Sequence, residues 1–291
     1  MTGLLRFVLI LLGSLPLWLL HALGTGIGML LWWLPNNMKR MTRLHLRLCL
    51  PETSEAERDR LARRCLTEAA KALVETPAIW FGPAWRLRRW LRDDAAAAQL
   101  KTLIAGQRGL ILLSPHIGSW ELTGLFCAAN SAITSLYKPQ KGAWDTLSLE
   151  GRCRNGAALV PTSGAGVKSL LQSLRRGEMI GILPDHDPPD GAGVFAPFFG
   201  IPAHTTALVS KLAARSGAPV WFIYAERLSW GRGFRIHLSP AAAAVADPVT
   251  GVATLNLGVE NVIRHLSEQY WWGYKRYRRL PPDTPDPYRD L

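Results

Sequence analysis

The chain has no two cysteines at metal-ligand or redox spacing: Cys49, Cys65, Cys127 and Cys153 stand too far apart for any CxxC pair. That argues against a zinc module and gives no sign of a disulfide framework, so the thiols read as reduced and the compartment as reducing. There is no Gly-Lys dipeptide, hence no Walker A phosphate loop, and no GxSxG nucleophile elbow. Internal repeats and low-complexity linkers are also missing. Acid is scarce, with 22 Asp+Glu against 34 Lys+Arg and a net charge of +12 in 291 residues. Yet only 19% of residues are charged and 48% are hydrophobic, which excludes intrinsic disorder. A basic chain with 12 tryptophans points to polyanionic partners: nucleic acid, an anionic membrane surface, a phosphorylated lipid or an acidic carrier protein.

What is present begins at the N-terminus. From Phe7 to Met38 no residue is formally charged, and the stretch is almost wholly apolar. A helix needs about 20 such residues to cross a bilayer, and glycine and proline are tolerated there. Gly24 and Gly28 form a GxxxG step, Trp32 and Trp33 stand where an interfacial aromatic belt would fall, and Lys39, Arg40, Arg43 and Arg47 follow. Only Arg6 flanks the other side, so the charge asymmetry puts the body of the protein in the cytoplasm. The same segment also resembles a cleaved signal peptide, with residues 7–20 as its apolar core and Ala22-Leu23-Gly24 as the cleavage site. Hydrophobicity resumes at Ile27 and runs to Leu34, which favours an anchor over residues 1–38, either spanning the bilayer or lying in its interface. A further stretch, WRLRRWLRDD at 85–94, interleaves tryptophan with arginine and fits a membrane surface or an ordinary solvated helix face equally well.

Beyond residue 109 short apolar runs recur: GLILLS at 109–114, ITSLY at 133–137, ALVP at 158–161, MIGILP at 179–184 and PVWFIYAE at 219–226. Helix-like segments separate them. Strands alternating with helices predict a mostly parallel sheet covered on both faces, so residues 39–291 read as one α/β domain. In such sheets the chemistry sits at the carboxyl ends of the strands.

His116 follows the first of these strands in SPHIGSWE, with Gly118 for a tight turn, Ser119 as a helix N-cap and Glu121 in the first helical turn. On one helix, positions five apart lie about 140° apart, so His116 and Glu121 meet only if a loop carries the histidine. Glu121 would then hold one imidazole nitrogen while the other takes a proton from a hydroxyl. That is the base and orienter of a triad without an enzyme nucleophile, suited to direct attack by an acceptor alcohol. With seven histidines and 22 acidic residues, one HX4[DE] match arises by chance about half the time, so a core histidine and a helix-stabilising glutamate remain open readings.

The chain as a whole resembles the lipid A late acyltransferase family. The matching pieces are SPHIGSWE, YKPQ at 137–140, GRCRNGA at 151–157, LRRGEMIGILPDHD at 174–187, GVFAPFFG at 193–200 and QYWWGYKRYRR at 269–279. The resemblance implies that His116 and Glu121 are the catalytic pair and that Arg154 and Asp185 belong to the active site. Arg154, with Arg152 beside it, can bind an acceptor phosphate or neutralise developing negative charge. Asp185 could position a loop, a hydroxyl or Arg154. Asp185-His186-Asp187 suggests metal ligation only superficially, because no third ligand cluster supports it, and no metal is expected. GVFAPFFG reads as an apolar wall with tight turns. The family further implies a glycerolipid-acyltransferase-like sheet and an inner-membrane location with the catalytic domain on the cytoplasmic side. It implies acyl carrier protein as donor and a phosphorylated glycolipid as acceptor, with no cofactor and no nucleic acid. Another acceptor lipid (an ornithine lipid, a phosphoinositide mannoside or a glycerolipid) would need the same chemistry, and a non-catalytic lipid-binding protein is the reading from a different class.

Overall fold

The structure, a computed structural model, describes residues 2–91 and 94–289. Six helices come first: α1 (Thr2–Ser14), α2 (Leu17–Trp33), α3 (Asn37–Cys49), α4 (Glu55–Phe81), α5 (Ala84–Trp90) and α6 (Asp94–Ala105). Strands and helices then alternate through β1 (Leu110–Leu113), α7 (Trp120–Asn130), β2 (Ile133–Tyr137), α8 (Ala143–Cys153), β3 (Ala158–Pro161), α9 (Gly164–Arg175) and β4 (Met179–Ile182). The chain closes with β5 (Gly193–Phe198), β6 (Ile201–Thr206), α10 (Leu208–Ser216), β7 (Val220–Arg227), β8 (Phe234–Pro240) and α11 (Gly251–His265).

The main sheet has the order β3-β2-β4-β1-β7-β8, parallel throughout except for the edge strand β8. The five strands expected from the apolar runs are the five parallel ones. LILL and MIGI carry no polar alternation because both faces of the sheet centre are covered. Successive residues of β1 feed opposite cores: Ile111 and Leu113 join Leu170, Val209 and Val259, while Leu110 and Leu112 join Leu100, Leu122 and Phe126. GVFAPFFG is β5 and the tip of a hairpin, closed by Phe199 and Gly200, both at positive φ (50° and 76°), between the paired Phe198 and Ile201. Phe198 is buried in the core, whereas Val194 and Phe195 face outward, so only part of the expected apolar wall is exposed.

Residues 1–38 do not form one anchor helix. The helices α1 and α2 are bent by 110° relative to one another, and among the described residues no single helix is long and apolar enough to cross a membrane. Pro16 is the cause: it lacks an amide hydrogen and stands in extended geometry (φ −60°, ψ 145°) as the N-cap of α2. The GxxxG step packs within the chain. A Cβ on Gly24 would lie 2.7 Å from the Lys71 backbone, and one on Gly28 2.4 Å from that of Thr67, so α2 lies directly along α4. Beneath this contact His21 Nε2 is 3.0 Å from Glu75 Oε2, and Glu75 in turn accepts from Arg227 of β7 at 2.6 and 2.7 Å. All three side chains are buried. The first two helices are thereby built into the α/β body, while their outward face leaves Phe7, Leu11, Trp18, Leu30 and Trp33 exposed.

Candidate active site

The loop after β1 is shaped by backbone contacts. Ile117 and Gly118 bridge to Tyr270 and Ala225, the Gly118 N–H donates to Gln269 O at 3.0 Å, and the Ser119 N–H donates to Ala225 O at 2.8 Å. Gly118 has φ +61°, and a Cβ there would lie 1.9 Å from the Ala225 carbonyl oxygen, so only glycine allows this approach. Pulled toward β7, the loop turns the His116 ring toward the end of the neighbouring strand β4. There Asp185 receives it twice: the His116 backbone N–H donates to Oδ2 at 3.0 Å, and Nδ1 lies 3.0 Å from Oδ1. Burial pushes the Asp185 carboxyl up, but the His116 groups it accepts from outweigh that and hold it well below the usual carboxylate range. An ionised carboxylate only accepts, so Nδ1 carries the proton and the lone pair of a neutral ring sits on Nε2.

A column of rings fixes the plane of this imidazole. His186 stacks on His116 with centroids 3.7 Å apart at 5°, and Tyr274 covers the other face of His186 at 3.7 Å and 13°. Burial, the largest cause, brings the His186 pKa down to about 3, so it stays neutral in the stack. Asp187 supports the far side. Its backbone N–H donates to the Tyr274 hydroxyl at 3.0 Å, and its carboxylate holds His204, Arg278 and Arg279. His116, Asp185 and His186 each offer a ligating atom within 4.8 Å of the others. The two rings are parallel, however, so their in-plane lone pairs run side by side instead of converging, and both Asp185 oxygens are engaged by His116.

Glu121 does not hold His116. It sits in the first turn of α7, which faces α4 and α8, and those helices saturate it: Arg152 donates to both oxygens at 2.6 and 2.9 Å, and Trp80 Nε1 donates at 2.9 Å. Burial raises this carboxyl and the Arg152 pair lowers it, with the net direction downward, and its charge is felt at His116 without a hydrogen bond. Arg152 also lies over the Trp80 ring at 5.6 Å. Arg154 donates through Nη1 to the carbonyls of Ile79 and Trp80, at 3.0 and 2.9 Å, in the last turn of α4. Asp185 reaches neither arginine. Ser119 occupies the N-cap position of α7 but makes no capping bond, and its hydroxyl is buried without a partner among the described residues.

Two clusters therefore stand at the carboxyl edge of the sheet, an imidazole held by a carboxylate and a Glu121–Arg152–Trp80 assembly beside it. An imidazole with one nitrogen on a carboxylate and the other open is the arrangement of a hydroxyl-activating transferase or hydrolase. The sequence matches the family described as bacterial lipid A biosynthesis acyltransferase over residues 2–279. The chain belongs to that family, and it is an acyltransferase. It is 28% identical over 285 residues to the lipid A biosynthesis lauroyltransferase of Escherichia coli (strain K12), covering 97% of this chain and 92% of that one. The palmitoleoyltransferase of the same organism is 28% identical across 92% and 88% of the two chains, and its myristoyltransferase 23% identical across 88% and 80%.

Proposed function

We propose that the protein moves a fatty acyl group from acyl carrier protein to a hydroxyl of a phosphorylated lipid A precursor, on the cytoplasmic side of the inner membrane. The observation that carries the mechanism is the hydrogen bond between His116 Nδ1, in the loop after β1, and Asp185, in the loop after β4. His116 Nε2 takes the proton of the acceptor hydroxyl as its oxygen attacks the thioester carbonyl. The tetrahedral adduct collapses with cleavage of the C–S bond, and the imidazolium returns the proton to the departing thiolate. No prosthetic group enters. Glu121 is the anchor for Arg152, and Arg152 and Arg154 present positive charge where an acceptor phosphate and the developing oxyanion would lie. Asp185 acts through His116 as a positioning residue.

The α1–α2 pair supports a membrane-bound chain that lies on the bilayer. A spanning α2 would carry α4 with it, along with Glu68 and Lys71 on that helix. The test is acyl transfer by membranes containing the protein, with labelled acyl carrier protein as donor and a tetra-acylated, phosphorylated lipid A precursor as acceptor. A more hydrophobic product seen with wild type and absent with His116→Ala supports the reading. Transfer only to another lipid would change the acceptor, and product from His116→Ala at the wild-type rate would refute the mechanism.

A further inference from the structure

Trp230 is 89% exposed and stands at φ 61°, ψ 28°, in the turn joining β7 to β8. A non-glycine residue in the left-handed region is uncommon, and for a bulky side chain it signals a constraint from outside the residue itself. Here the constraint is visible on both sides of the turn. A Cβ on Gly231 would lie 2.4 Å from Trp18 Cα of α2, and one on Gly233 would lie 2.1 Å from the Trp90 carbonyl oxygen of α5. The turn is thus wedged between α2 and α5, and the wedge aims the indole away from the protein. A third contact closes the group: Arg86 of α5 donates to the Gly13 carbonyl at the α1–α2 elbow, at 2.8 Å.

Three segments far apart in sequence therefore converge on one patch, and each brings an exposed tryptophan: Trp18, Trp85 and Trp230. Helix α5 brings two exposed arginines to it, Arg88 and Arg89, and Arg235 beside the turn is exposed and pairs with Glu226 at 3.6 Å. The patch also has a defined place on the fold. Leu113 of β1 pairs with Phe222 of β7, and β7 continues in the same direction to Arg227, about 16 Å further. The Trp230 turn thus projects from the edge of the sheet that carries His116.

We propose that this patch is the membrane-docking surface: the Trp230 turn inserts its indole at the interface of an anionic bilayer, beside Trp18 and Trp85, with Arg88 and Arg89 of α5 on lipid phosphates. Charge complementarity selects the occupant. Indoles at headgroup depth with arginines around them fit an anionic lipid surface, whereas a protein partner would have to answer three separate tryptophans with acid. Docking in this pose brings the catalytic edge of the sheet to the membrane. The inference rests on the reading that the chain works on a membrane lipid, and adds which face meets it and in what orientation.

The test uses the full chain with a nitroxide label in Trp230→Cys, and separately in Val249→Cys. Val249 is 87% exposed and follows β8 out of the opposite edge of the sheet, where Pro240 pairs with Trp221. Cys49, Cys65 and Cys127 are buried, and Cys153 is replaced by serine in both variants. On vesicles of phosphatidylethanolamine and phosphatidylglycerol, the label at 230 should become accessible to oxygen and shielded from a water-soluble nickel complex, while the label at 249 stays in water. Trp230→Ala should weaken vesicle binding roughly tenfold, and omission of phosphatidylglycerol should weaken it as well. A label at 230 that remains in water on a vesicle-bound chain, or a chain that ignores vesicles, overturns the proposal. Neither readout needs acyl transfer, so a failed acceptor assignment and a failed docking surface are told apart.

Discussion

Asp185 binds His116 at two points of the same residue, the backbone N–H and ring Nδ1, both at 3.0 Å. The double contact ties the loop after β1 to the loop after β4 and leaves the histidine no rotation that keeps both bonds. The two residues are 69 positions apart, where HX4E expects the partner of His116 five positions away.

The first consequence concerns Glu121 and Arg152. Because each oxygen of Glu121 accepts from Arg152 and none from His116, the two residues should behave as one unit. Glu121→Ala and Arg152→Ala should each lower acyl transfer. The double variant should be little worse than either, with a coupling of at least about 1 kcal/mol in a double-mutant cycle on kcat/KM for the acceptor. Additive losses would mean that Glu121 acts on the reaction independently of Arg152.

Acid should loosen the joint between α2 and the α/β body. Burial pushes the Glu75 carboxyl up, but Arg227 and His21 overcome it and bring it from 4.5 down to about 2. A carboxyl depressed in the folded state contributes stability that is fully present above its unfolded pKa and is lost as pH falls through the folded value. From 4.5 to about 2, this is worth about 3 kcal/mol at neutral pH, lost between those two values. Glu75→Gln, which leaves Arg227 buried without its anion, should lower the melting temperature at pH 7. Its deficit against wild type should shrink as the pH approaches 3. A deficit independent of pH would show that the charge of Glu75 is not what matters.

Gly118→Ala should disrupt the loop that carries His116. Its Cβ has no room against the Ala225 carbonyl, and φ +61° adds strain. A loss of about 1–3 kcal/mol in stability, together with a fall in kcat, is expected from thermal unfolding and steady-state rates. Unchanged values would mean that the loop relaxes freely.

Much of the fold is legible because the central strands β1 and β4, LILL and MIGI, are unbroken apolar runs that suit a sheet covered on both faces, and because helix-like segments separate the runs that form the parallel strands. The β8 edge strand is not, since FRIHLSP is half exposed and carries no such run. The N-terminal segment misled for a physical reason: composition measures apolarity, not continuity, and Pro16 breaks a run that hydropathy treats as one. At the candidate site the sequence singles out His116, Glu121, Arg152, Arg154 and Asp185, and the contacts pair them differently from their spacing. Sequence spacing placed Glu121 beside the histidine, whereas the contact that holds His116 crosses between strands adjacent only in the sheet. His186 and Tyr274 could have been suspected only from the aromatic density of PDHD and QYWWGYKRYRR.

In the proposed mechanism Asp185 holds His116 in the tautomer and orientation that make Nε2 the base. That role is tested most directly by the single-turnover rate of acyl transfer for Asp185→Asn beside His116→Ala, on saturating acyl-carrier protein and membrane-embedded acceptor. Asparagine fills the same space but no longer supplies the anion. A fall of about 10²- to 10⁴-fold is expected for Asp185→Asn and at least as large a fall for His116→Ala, with folding intact. An Asp185→Asn protein that transfers acyl groups at the wild-type rate would contradict the mechanism.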